Sequence, residues 1–201
     1  MLKSLNNHIE FKDVTKENLT DGHLDINSVR EGSIVIAPVK VKGAGIYLGD
    51  VHSIQGAGEL AGHTIDVTAT VRVRVTLLKA VSVPSPVIIP NIQDVNFRFR
   101  PFTDEEMKNI SNIAGEWHLD QPENQYPMQF TGSGNGMNEA IDNAIKNVSM
   151  FLNISEDEVK NRATISGEVG IGRTSGFSYL TIALPESIFK ETGLAEYINR
   201  N

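Results

Sequence analysis

The stretch "TIDVTATVRVRVTLLK" constrains the fold more than any other. Ile65, Val67, Ala69, Val71, Val73, Val75 and Leu77 alternate with Asp66, Thr68, Thr70, Arg72, Arg74 and Thr76. Successive side chains of a strand point to opposite faces, so this period of two predicts a long strand over Ile65–Leu77 with one face to bury. Arg72 and Arg74 fall on its polar side, where solvation or pairing with acids accounts for them without a phosphate ligand. No helical periodicity interrupts residues 33–100, which rules against a doubly wound parallel sheet, since that architecture needs a helix between successive strands.

Around this segment the chain divides readily. "SIVIAPVKVKGAGIYLGD" is β-branched and punctuated by Pro38, Gly43 and Gly45, giving two short strands. Pro84, Pro86 and Pro90 end the long strand, and "DVNFRFRPF" predicts a further short one with Val95, Phe97 and Phe99 on one side. Thr103-Asp-Glu-Glu106 has capping-box spacing and opens a helix through Ile113, closed by Gly115. "GEWHLDQPENQYPMQF", rich in Pro and Asn, is expected to be an irregular loop around a packed Trp117.

From Met137 to Leu152, Met137, Ala140, Ile141, Ala144, Ile145, Val148, Phe151 and Leu152 recur at helical spacing and predict an amphipathic helix packed on a sheet. Ser155-Glu-Asp-Glu158 starts another helix, and "ATISGEVGIGRTSGFSYLTIALP" returns to strand composition, stopping near Pro185 or Gly193. The expected fold is therefore α+β, mostly β-strands, with two or three helices in the C-terminal half. Residues 1–20 form a polar arm and 21–201 a single domain.

Composition narrows the chemistry. The net charge of −7, spread along the chain, argues against binding a phosphate backbone, so no nucleic-acid partner is expected. With no cysteine, thiolate metal sites, cysteine nucleophiles and disulfides are all excluded. No segment has the length of a signal sequence or of a membrane span, and the expectation is a cytoplasmic protein with no membrane partner.

The richest polar stretch is "YLGDVHSIQGAGELAGHTID", Tyr47–Asp66. Asp50 and His52, two apart at a strand end, point to one face and can reach one ion, and Glu59 follows in the same glycine-lined turn. Upstream, His23 and Asp25 form a second His-x-Asp pair. An imidazole with carboxylates is ordinary zinc chemistry, and a carboxylate not bound to metal can move protons. Turns also use Asp and His to hydrogen-bond their own backbone, and spacing alone leaves both readings open. His63 and Asp66 read as turn or surface groups, and His8 as exposed. The glycine loops Gly132–Gly136 and Gly167–Gly172 match no nucleotide fingerprint.

Asp21 to Lys79 resembles the acetamidase/formamidase family. Gly49-Asp50-Val51-His52, Gln55-Gly56 and Gly58-Glu59 match the family's Gly-Asp-x-His-x-x-Gln-Gly-x-Gly-Glu motif at every defining position. A looser similarity runs on to Phe189. The resemblance implies hydrolysis of a short linear amide, formamide or acetamide, to carboxylate and ammonia, assisted by a divalent metal, with zinc the expected ion. It implies metal or substrate contacts at Asp50 and His52, an orienting polar group at Gln55 and a general acid–base at Glu59. Asp25 stands where the family has Asp, His23 where it usually has Asn, and Ala57 where Asp is common. His23 and Asp25 are thereby added to Asp50 and His52 as expected metal ligands.

Family members also carry a β-rich portion before this region, for which about twenty residues are too few. The partner expected is a second copy, giving a dimer, or another chain that supplies the N-terminal lobe. The competing reading is a non-catalytic subunit binding metal or a small ligand.

Overall fold

A computed structural model describes residues 25–40, 42–172 and 176–198. Its centre is a five-stranded sheet in the order β1-β2-β3-β5-β4, where β1 is Ile34–Ile36, β2 Val87–Ile89, β3 Gln125–Ser133, β4 Glu168–Ile171 and β5 Phe177–Pro185. All four pairings are antiparallel, as expected for an α+β fold without βαβ crossovers. The longest ladder joins β3 to β5, from Gln125 opposite Pro185 to Ser133 opposite Phe177.

Five helices follow from recognisable local signals: α1 Asp104–Glu116, α2 Met137–Leu152, α3 Glu156–Ser166, α4 Glu186–Glu191 and α5 Ala195–Ile198. The Thr103 hydroxyl accepts from Glu106 N–H while the Glu106 carboxylate accepts from Thr103 N–H, completing the capping box of α1. Ser155 caps α3 by accepting from Glu158 N–H. α2 has the span its periodicity predicts and ends on Asn153 in the left-handed region, at φ 53°.

One face of the sheet is apolar. Val87, Ile89, Met128, Phe130, Leu180, Ile182 and Leu184 meet Ala144 and Val148 of α2, Val159 of α3 and Phe189 of α4. The approach of α2 is so close that a Cβ on Gly132 would stand 2.2 Å from the Ala140 carbonyl oxygen. The opposite face is smaller and mixed: Ile26, Ile88, Phe177 and Tyr179 cluster there, beside buried Gln129 and Thr181. This second face lies under the segments that carry the polar motif.

Four elements depart from expectation. Of the two short strands expected over residues 33–50, only Ile34–Ile36 forms among the described residues. Residues 68–77 form no ladder, and no backbone hydrogen bond joins them to another described segment. Their apolar side is open, with Val71, Val73 and Val75 each half exposed or more. The pattern states which face seeks burial, but nothing among the described residues covers it.

Residues 92–94 and 97–99 are 3-10 turns rather than a strand, because Asn91 and Asn96 turn back to accept from the N–H groups of Gln93 and Arg98. Residues 125–133 are a central strand where a loop was expected, and Trp117 is 73% exposed rather than packed. The N-terminal arm lies outside the described residues. Among those described, no helix is long and apolar enough to cross a membrane.

Candidate metal centre and polar pocket

The polar motif folds around His52. Its Nδ1 donates to Gln55 Oε1 at 2.7 Å, and Gln55 Nε2 donates to the Asp25 backbone carbonyl at 2.8 Å. Because the carbonyl accepts only, it fixes which end of the Gln55 amide faces His52, and so places the imidazole proton on Nδ1. Nε2 then points into a ring of carboxylates: Asp50 Oδ1 at 3.2 Å, Asp66 Oδ1 at 3.3 Å and Glu59 Oε1 at 3.9 Å.

A neutral imidazole would aim its Nε2 lone pair at anionic oxygens. That arrangement is favourable only with a cation between them, either a proton on Nε2 or a metal ion. The hydrogen bond to Gln55 is the chief cause holding the His52 pKa above its usual 6.5. Burial works the other way, and the charges of Asp50 and Glu59 add to the rise.

Asp50, His52 and Glu59 offer ligand atoms within 4.8 Å of one another. The donor set, one imidazole nitrogen with carboxylate oxygens, fits a borderline divalent ion such as zinc. The His52 and Glu59 side chains are 7% and 5% exposed, whereas Asp50 and Asp66 are each 67% exposed. The group thus has a dry floor and an open rim.

Backbone conformation marks the same residues. Among the described residues, five other than glycine have positive φ, and Asp25 (46°), Asp50 (59°) and Glu59 (40°) are three of them. Left-handed backbone is tolerable for Asp and uncommon for Glu, and such residues concentrate where a site over-determines them. Gly58, at φ 75°, supports Glu59, and a Cβ there would lie 2.9 Å from Ile171 Cγ1. The motif loop is thereby pressed onto β4.

Of the expected site residues, Asp50, His52, Gln55 and Glu59 come together. Asp25 joins through its backbone carbonyl, and His23 lies outside the described residues. Asp66 is a surface group, as expected, with its side chain 67% exposed. It also pairs across a β-bridge with His52, its neighbours Ile65 and Val67 bond to Ser53 and Val51, and its carboxylate stands 3.3 Å from Nε2.

Beside this group, a cavity of about 190 Å³ is set against the mixed face of the sheet. Its lining includes Ser28, Gln129, Tyr179 and Thr181, with Ala57 of the motif loop. Gln129 accepts a hydrogen bond from Ser28 and donates to Thr181 Oγ1 at 3.1 Å. None of Ser28, Gln129 or Thr181 was singled out in the sequence, because buried polar residues on a strand carry no motif.

No curated protein matches the chain. Its fold is similar to that of a recombinant predicted acetamidase/formamidase from the thermophile Thermoanaerobacter tengcongensis, with a TM-score of 0.59 and 19% identity over 86% of this chain. The chain spans about half of that protein, covering 48% of it. The family model for acetamidases and formamidases matches residues 12–191, which takes in the whole His52 cluster, and the chain belongs to that family.

Proposed function

We propose that the chain is a cytoplasmic hydrolase of short linear amides of the formamide or acetamide type, releasing ammonia with the assistance of a divalent metal, zinc being the ion assigned. The observation that carries the reading is the convergence of three carboxylates on His52 Nε2, an arrangement that calls for a cation. Asp50 and His52 would hold the ion, with Asp66 on the exposed side. When bound, it would polarise the amide carbonyl and acidify a water.

The remaining residues supply position and proton transfer. Gln55 fixes the His52 tautomer, leaving Nε2 free as a ligand. Glu59 is the farthest of the three carboxylates, and its distance of 3.9 Å leaves it free to act on water rather than on the ring. We assign it the proton: it takes one from the attacking water as the C–O bond forms, and returns it to the amide nitrogen as the C–N bond breaks. Carboxylate and ammonia are the products.

The test is ammonia release from formamide and acetamide by the zinc-loaded full chain. Glu59→Gln should lower kcat by about 10²–10⁴-fold while zinc content stays unchanged, which separates a proton carrier from a ligand. No ammonia from the zinc-loaded chain, alone or mixed with the product of a neighbouring gene, would remove the reading. A second reading, a metal- or ligand-binding subunit that needs a partner to complete its site, is supported by the uncovered apolar side of residues 68–77.

A further inference from the structure

The cavity on the mixed face of the sheet has a directional polar wall. Gln129 and Thr181 are 6% and 3% exposed, so their polar atoms must be matched within the fold or by a ligand. Ser28 gives its only hydroxyl proton to Gln129 Oε1. Gln129 Nε2, which can only donate, gives one to Thr181 Oγ1. The relay therefore leaves Thr181 with a proton to donate and Ser28 with lone pairs to accept.

Charge in the surrounding wall is already cancelled. Arg30 pairs with Asp94 at 3.4 Å, and Glu168 pairs with Arg98 at 3.5 Å. An ionic guest would be desolvated with no free counter-charge, whereas a neutral guest bearing one acceptor and one donor would satisfy both ends of the relay. The volume of about 190 Å³ is below the roughly 300–1,000 Å³ usual for drug-sized ligands, so the guest is small. Ala57 lines the cavity two residues from Glu59, and two residues of chain span at most about 7 Å.

We propose that this cavity is the carboxamide pocket of the enzyme, with the Thr181 hydroxyl donating to the amide carbonyl and Ser28 Oγ accepting from the amide N–H₂. Gln129 is the positioning residue that sets the direction of both hydrogen bonds. The pocket selects neutral primary amides with short acyl chains and rejects the carboxylate product, which carries a charge and no N–H. The inference rests on the amide-hydrolase reading, yet it concerns recognition and can be read without turnover.

The test is titration of the zinc-loaded, ¹⁵N-labelled full chain with acetamide and, separately, with acetate, followed by NMR. Acetamide should move the Gln129 side-chain amide and the Thr181 backbone signal, and acetate should bind at least about tenfold more weakly. Ala57→Leu, at an exposed position in the wall, should weaken acetamide binding at least about tenfold without lowering the melting temperature. Thr181→Val should also weaken acetamide binding, with some loss of stability because it leaves the buried Gln129 Nε2 without its acceptor; if that variant fails to fold, Ala57→Leu decides the matter.

Acetamide shifts confined to other residues, an equal response to acetate, or unchanged binding by Ala57→Leu would overturn the pocket. Acetamide bound here without ammonia release keeps the pocket and removes hydrolysis. Ammonia release with no shift at Gln129 does the reverse.

Discussion

At the scale of single residues, Asp66 Oδ1 lies almost as near His52 Nε2 as Asp50 Oδ1, at 3.3 against 3.2 Å, though the ligand atoms that all stand within 4.8 Å of one another are those of Asp50, His52 and Glu59. Removing either charge should weaken zinc binding in titration calorimetry, by about 10–100-fold if the acid supports the ion from the outer shell. His52→Ala should abolish binding. Equal zinc affinity for Asp66→Asn and the unaltered chain would show that Asp66 only closes the bridge. Asp50, His52, Gln55 and Glu59 were legible because they stand close together in a spaced motif. Asp66 was not, because its role depends on a pairing between residues 51–53 and 65–67 that alternation alone does not register.

At the scale of elements, legibility followed the locality of the signal. Thr103 and Glu106 are three residues apart and their capping box forms as expected, with Arg100 added as a bidentate partner of Glu106 at 2.8 Å. The Arg100 guanidinium, ahead of the bonds from Thr103, lowers the Glu106 pKa from 4.5 to about 2. A depressed carboxylate stabilises the folded state fully above its unfolded pKa, and that contribution disappears as pH falls through the folded value. Circular dichroism should therefore show the start of α1 loosening between about pH 4.5 and 2, and Glu106→Gln should remove that pH dependence. Thr103→Ala should cost about 1 kcal/mol at neutral pH. β3 was missed for the opposite reason: Tyr126, Met128 and Phe130 alternate with Pro127, Gln129 and Thr131, but the run is short and a proline within it counts against a central strand, and it is the nine-residue ladder with β5 that makes it one.

At the scale of the whole molecule, the strongest pattern in the sequence has the least satisfied structure. Residues 68–77 expose valines on one side and, among the described residues, pair their backbone with nothing, a condition that invites another strand. A second copy is the proposed occupant, because the segment is complementary to itself. In antiparallel pairing about Val71, Val73 faces Ala69, Val75 faces Val67 and Leu77 faces Ile65. Arg72 faces Thr70 and Arg74 faces Thr68, so no two cations meet. Val71 faces its own copy in this register and is half exposed in the single chain. Val71→Lys would put like charges directly opposite each other without disturbing the fold of one chain. Light scattering should give twice the chain mass for the unaltered protein and the chain mass for Val71→Lys. A monomer at every concentration, or a dimer that survives Val71→Lys, would rule out this pairing and leave a different chain as the partner of the strand. Ammonia release that fell with the loss of the dimer would place the His52 site under the control of its assembly, since Ile65 and Val67, at the start of the same strand, are what hold Asp66 against His52.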